Sequence, residues 1–231
     1  SPPLESLARG RSSAVILISD ASRLCPSAEF LELLIDRLNR GGIADERIRI
    51  IVALGMHRRQ TTDELMRLTG RGVFERVRVL NHSALPDDCI RVGVTTRGTP
   101  VEINRLVVEA DLRIATGNIE PHRLVGMSGG VKALVPGVAS SRCIEIHHSL
   151  SARWQAEPGS TDNELHRDLV EAAAFVPIHF LFNVVVNPKR EILRAFCGDV
   201  RAAHQAGIAY ARERFRVPVS KRYDAVIVSP G

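Results

Sequence analysis

Aromatic residues are scarce: seven Phe, two Tyr and one Trp make up 4% of the 231 residues. So few rings, none interleaved with basic residues, leave no stacking platform for a single-stranded nucleic acid. The net charge of +5 is carried mostly by arginines dispersed along the chain. Dispersed charge fits a solvated face or an anionic small molecule better than a nucleic-acid groove. Cysteine is sparse as well. Cys25, Cys89, Cys143 and Cys197 stand far apart with no Cys-x-x-Cys pair. Neither a zinc knuckle nor a disulfide framework is supported, and reduced thiols are expected. No apolar run approaches the roughly 20 residues that cross a bilayer, and the first residues lack the apolar core of a signal peptide. These absences predict a cytoplasmic protein with neither a membrane nor a nucleic-acid partner.

What the chain does have is aliphatic bulk, 45% hydrophobic by residue, in short β-branched runs. "AVILISD" (14–20) reads as a buried strand that delivers Asp20 to its carboxyl end. "SAEFLELLIDRLNRGG" reads as an amphipathic helix with Ser27 as N-cap and a Gly41–Gly42 stop. "RIRIIVALGMH" is a second buried strand, turning at Gly55 to His57, and "TTDELMRLTG" a helix capped by Thr61 or Thr62. "RVRVLNH" and "RVGVTT" read as strands, "VEINRLVVEA" as a helix, and "DLRIATGNIEPH" as a strand whose turn carries His122. Further on come a helix in "RDLVEAAAFV", paired strands in "HFLFNVVVN" and "EILRAFCGD", a long helix in "DVRAAHQAGIAYARERF" and a strand in "YDAVIVSPG". Alternating strand and helix predicts an α/β protein with a mostly parallel sheet covered on both faces. The reading divides the chain into a catalytic lobe at 1–198, a connecting helix at 199–221 and the start of a second, truncated or absent domain at 222–231.

In open α/β sheets ligands sit outside the carboxyl ends of strands. Three strands end there at polar residues: Asp20 with Arg23, His57, and His122. Each has a plain alternative as helix cap, surface cation or loop histidine, but their shared edge favours a site. Two imidazoles at one cleft can serve as acid and base near neutral pH. "EPHRLVGMSGGVKALVPGVAS" (120–140) adds a lysine behind a glycine turn. It fails the GxxxxGK[ST] phosphate-loop pattern, because Ala133 follows the lysine where Ser or Thr is required. Glycines still admit a phosphate or flat ring close to the backbone. A lysine in such a partly apolar pocket has a lowered pKa and can act as nucleophile or covalent anchor. "IHHSL" then places His147 and His148 downstream. In an extended stretch neighbours point oppositely, so one of the two could ligate a soft metal whose other donors come from elsewhere.

With these residues in place the sequence resembles the catalytic component of the lactate racemase family, nickel-pincer-nucleotide racemases and epimerases of 2-hydroxy acids. The resemblance runs from "ISDASR" through "ALGMHRRQTTDE", "GTPVEINRLVVEAD", "TGNIEPHRLVGMSGGVKALVPGVAS" and "IHHS" to "NVVVN", "CGD" and "AVIVSPG". It implies a cofactor, pyridinium-3,5-bisthiocarboxylic acid mononucleotide nickel, tethered to Lys132 through a thioacid group. It further implies Asp20, Ser128, Gly129 and Gly130 as cofactor contacts and His148, rather than His147, as nickel ligand. His57 and His122 would flank the substrate carbon, with Arg23 as a substrate- or cofactor-site cation able to pair with the substrate carboxylate. Implied partners are a small 2-hydroxy acid, cofactor-biosynthesis proteins and a C-terminal domain that completes the site.

Some residues depart from the family pattern. "SRLCP" (22–26) replaces a common TRPTP, "HRRQT" replaces His-Arg-Pro, Asn118 stands where histidine is common, and 157–168 lacks an Asn-Pro. Two rival readings remain at this stage. One is a non-catalytic carrier of the same nucleotide, which needs Lys132 and His148 but neither His57 nor His122. The other is a pyridoxal-phosphate Schiff base on the lysine.

Overall fold

A computed structural model describes residues 2–219, 221 and 223–227. In chain order the strands are β1 (Ala14–Ser19), β2 (Ile48–Ala53), β3 (Arg78–Asn81), β4 (Cys89–Val94), β5 (Pro100–Asn104), β6 (Leu112–Asn118), β7 (Pro121–His122), β8 (Gly126–Met127), β9 (Phe180–Val186) and β10 (Ile192–Gly198). The helices are α1 (Leu4–Ala8), α2 (Leu31–Arg40), α3 (Thr62–Thr69), α4 (Arg71–Arg76), α5 (Arg105–Val108), α6 (Ser141–Ser149), α7 (Glu164–Phe175) and α8 (Val200–Phe215).

Six strands form one sheet in the order β10-β9-β6-β1-β2-β3. All its pairings are parallel except β9 with β10. β4 with β5 and β7 with β8 make separate antiparallel pairs. β1 explains why both faces must be covered: Val15, Ile16, Leu17 and Ile18 are all at most 1% exposed. Alternation along the strand sends them to opposite faces. Ile16 and Ile18 pack with Ile50, Val52 and the Leu31, Leu34, Ile35 and Leu38 stripe of α2. Val15 and Leu17 pack on the other side with Ile51, Leu134, Ile144 and Leu169. The predicted doubly covered α/β sheet is what the chain builds.

The chain adds β2 and β3 on one side of β1, and β6 and β9 on the other. The carboxyl ends of β1 and β6 therefore flank a topological switch point, where such sheets leave a crevice.

Four local expectations change. Ser27 does not cap α2; it opens a 3₁₀ turn (Ser27–Glu29) and its hydroxyl donates to Cys25 Sγ, while α2 begins after Phe30. "VEINRLVVEA" is half strand, because Val101 and Ile103 are fully buried in β5 against β4; helix occupies only Arg105–Val108. His147 and His148 lie on α6 rather than in an extended stretch. Residues 223–227 form no strand, and 228–231 of that expectation lie outside the described residues. Among the described residues no helix is long and apolar enough to cross a membrane. All four cysteines are free thiols.

Candidate active site

A cleft of about 300 Å³ opens at the switch point, of the size that holds a small ligand or part of a cofactor. The ends of β1, β2 and β6 supply Asp20, Gly55, His57 and Asn118 to its wall, and the segment after β6 supplies His122 and Lys132.

Asp20 is 3% exposed. Its Oδ1 accepts the Ser22 N–H at 2.7 Å and its Oδ2 lies 2.8 Å from His57 Nδ1. Burial pushes this carboxyl up, but the bonds from Ser22 and His57 outweigh burial and hold it below its ordinary value. A carboxylate only accepts, so His57 Nδ1 carries the proton and Nε2 is left for a ligand. The His57 turn is held from both sides: its N–H donates to Leu54 O at 2.9 Å, and Arg58 grips Glu64 of α3 through two bonds of 2.7 and 2.8 Å.

His122 is wired the other way. Its Nδ1 accepts the Leu124 N–H at 3.2 Å, so the neutral ring carries its proton on Nε2. Burial, then the charges of Lys132 and Arg23, lower its pKa to about 4. The ring is neutral at physiological pH.

Lys132 sits on a 3₁₀ turn, Gly130–Ala133. Ser128 fixes the approach: its Oγ donates to Asn118 O at 2.8 Å and accepts the Glu120 N–H at 2.9 Å. Gly129 and Gly130 have φ of +79° and +58°, a region other residues seldom enter. A Cβ on Gly129 would lie 2.7 Å from Asn183 Oδ1. The Lys132 amine makes no hydrogen bond or ion pair among the described residues. Burial, then Arg23, lowers its pKa to about 7, against a weaker pull from Glu120. A free-base fraction of about half at neutral pH makes this amine a nucleophile.

His148 lines the cleft, its pKa lowered by burial, then by His147 and Lys132. His147 is 1% exposed and spends Nε2–H on Leu165 O at 3.1 Å, which anchors α6. Arg23 stands exposed at the mouth without an ion pair among the described residues. Every predicted site residue but one therefore lines a single cleft. Gly130 is the exception: it is buried, and its N–H donates to Asn183 Oδ1 at 2.7 Å.

Sequence reasoning missed several groups. Asn183 also donates to Gly117 O at 3.2 Å, and its only signal was one amide inside the apolar "FLFNVVV". Glu120 faces Lys132 from within the quoted EPH motif. Asn118, already singled out as a departure from the family pattern, has its Nδ2 buried without a partner among the described residues. Among the described residues no three His, Cys, Asp or Glu side chains group at metal-binding geometry.

Residues 1–159 match the family described as the lactate racemase N-terminal domain. The chain belongs to the lactate racemase family. It is 36% identical over 222 residues to a lactate racemase of Lactiplantibacillus plantarum, covering 94% of this chain and 52% of that one. It is 35% identical to a lactate racemase of Thermoanaerobacterium thermosaccharolyticum, covering 99% of this chain and 54% of that one. The structure of the lactate racemase apoprotein from the latter organism superposes with a TM-score of 0.86 at 34% identity, over 91% of this chain and 51% of that one. A crystal structure of a Thermotoga maritima protein shares the fold alone, with a TM-score of 0.73 at 21% identity over 91% of this chain and 58% of that one. The chain spans about half the length of the lactate racemases it matches.

Proposed function

We propose that this lactate-racemase-family chain is the catalytic lobe of a 2-hydroxy-acid racemase or epimerase that carries a lysine-tethered nickel-pincer nucleotide. The observation that carries the reading is the pair of oppositely wired imidazoles sharing one cleft with an unpaired, near-neutral amine. A carrier of the same nucleotide would need neither imidazole.

The residues fit the cofactor on two counts. The Lys132 amine, without a hydrogen-bond partner among the described residues of the cleft, is free to be acylated, and His148 offers one imidazole, a donor set that suits a metal arriving with its own carbon and sulfur ligands. Lys132 would hold the nucleotide by an amide-type link and His148 would ligate nickel. When bound, the group supplies a reversible hydride acceptor beside the substrate.

The chain's own residues do the rest. Arg23, unpaired at the mouth, binds the substrate carboxylate. His57 Nε2, bare in the neutral ring, takes the hydroxyl proton, and Asp20 holds the ring in that tautomer and stabilises the imidazolium. His122 donates an Nε2–H hydrogen bond to the same oxygen from the opposite side, and the proton taken by His57 returns to that oxygen when the alcohol re-forms. Apolar lining from Leu54, Val125 and Ile144 keeps water from the reacting carbon. We place the 199–221 segment as connector to a second lobe that supplies the remaining substrate contacts. Lactate or a larger 2-hydroxy acid is the substrate, in the cytoplasm, with cofactor-making proteins as partners.

The test is intact mass and metal analysis of full-length protein from cells that make the cofactor. One adduct on Lys132 with one nickel per chain is expected. His57→Ala and His122→Ala should then load normally yet lose isomerisation. Unchanged isomerisation in both variants removes the two-imidazole assignment, and an unmodified Lys132 removes the tether.

A further inference from the structure

The lysine turn is propped from behind by α8, on the side away from the cleft. His204 of that helix is 6% exposed, and its Nε2 lies 2.9 Å from Ser128 O. A carbonyl only accepts, so Nε2 carries the ring proton and donates it. The imidazole face lies against Gly130: a Cβ there would come within 2.5 Å of His204 Nδ1 and 2.7 Å of Cε1. One turn further, a Cβ on Gly207 would come within 2.2 Å of Ile119 Cδ1, so α8 sits hard against the sheet at this level. The His166 ring of α7 stands behind, 6.0 Å away between centroids. His204 therefore bridges α8 to Ser128, just before the Lys132 turn, and to Gly130, its first residue.

We propose that His204 is a positioning residue for Lys132: its N–H to the Ser128 carbonyl, with its ring against Gly130, keeps the amine turned into the half-dry cleft as a nucleophile. Nothing else among the described residues donates to the Ser128 carbonyl, while the Ser128 N–H is held by Glu120 O and the Gly130 N–H by Asn183 Oδ1. The charges that shift the amine are Arg23 after β1 and Glu120 after β6; the amine in turn lowers His122, His147 and His148 of α6, His166 of α7 and His204 of α8, which face it. Burial is the largest cause of the lowered Lys132 pKa, so the amine stays a base only while the turn holds it there. Released into water, an ordinary lysine is roughly one part in a few thousand free base at pH 7.

The inference rests on the reading of Lys132 as the tether, but its test needs no cofactor, so the two fail separately. The full chain, made without cofactor, is treated with trinitrobenzenesulfonate at pH 7, and the arylation rate of Lys132 is followed by peptide mass spectrometry. His204→Gln and His204→Met have similar length, and only the first keeps an N–H. His204→Gln should stay within about threefold of the parent rate, while His204→Met falls at least tenfold, both with parent-like near-ultraviolet circular dichroism. Equal rates in the two variants overturn the proposal, as does a slow His204→Gln. If His204→Met does not fold, His204→Leu takes its place as the donor-free partner. Loss of Lys132 adduct in cofactor-making cells despite a parent-like arylation rate would count against the tether and leave His204 standing.

Discussion

At the residue scale, the two cleft histidines receive opposite wiring from a buried carboxylate and a backbone amide. Asp20 makes His57 keep its proton on Nδ1, whereas the Leu124 amide makes His122 keep its own on Nε2. Asp20→Asn preserves shape but offers a donor or a weak acceptor to Nδ1. In cofactor-loaded full-length protein it should lower kcat per bound nickel on the order of 10²-fold; steady-state kinetics normalised by metal analysis checks this. Lys132→Arg keeps a cation but removes the nucleophile, so intact mass should show no adduct. The positions of Asp20, His57, His122 and Lys132 were legible in the sequence because each ends a strand or follows a glycine turn. Their wiring was not, since it depends on which carboxylate or backbone amide the fold brings up beside each ring.

At the scale of elements, α3 does more than cover the sheet. Thr61 accepts the Glu64 N–H while Glu64 accepts the Thr61 N–H, a reciprocal cap, and Glu64 also holds Arg58 next to His57. Arg58 and hydrogen bonding at Thr61 drive the Glu64 carboxyl down to about 2. Thr61→Ala should destabilise by about 1 kcal/mol, read by urea unfolding, and should loosen the His57 turn. Gly137→Ala carries a larger penalty, because its Cβ would lie 2.2 Å from Ala133 O in the wall below Lys132. A loss of about 2 kcal/mol or more is expected for such overpacking, and thermal melting reads it. Helix caps with a clear signature, such as Thr61, were readable. β5 was not: "VEIN" does alternate apolar and polar, but over only four residues that run straight into the helical "RLVV", and pairing with β4 decides it. The double histidine misled for a related reason: helical spacing shows over several residues, and two adjacent rings carry no period.

Across the whole molecule, buried histidines set the response to acid. Burial is the first cause lowering His122, His166 and His179 to about 4. Unfolded imidazoles titrate near 6.5. Between those values the unfolded chain binds more protons, so stability rises with pH and is lost as pH falls from about 6.5 toward 4. Asp20, held low, loses its contribution on further acidification below its unfolded value. Lys132 acts on the alkaline side: with a folded value of about 7 it makes stability rise with pH from there toward the ordinary lysine range. Melting temperatures should drop steadily from pH 7 to 4.5, and His122→Gln should flatten that slope; a level profile would contradict the buried-histidine account. Sheet class and doubly covered architecture were legible from the aliphatic runs, yet strand order was not, because which neighbour a buried parallel strand takes is decided by crossovers.

One feature of α8 reaches further. His204 holds the Ser128 carbonyl, and eight residues on, Arg212 donates to Gly159 O at 2.6 Å, in a loop whose Gly159 N–H reaches Gly126 O beside His122. Eight residues are just over two turns, so both grips lie near one flank of the rod. Any roll of that rod tugs the anchor of the amine and the strap behind His122 in the same stroke. One rod thus braces the amine's anchor and the strap behind His122 together.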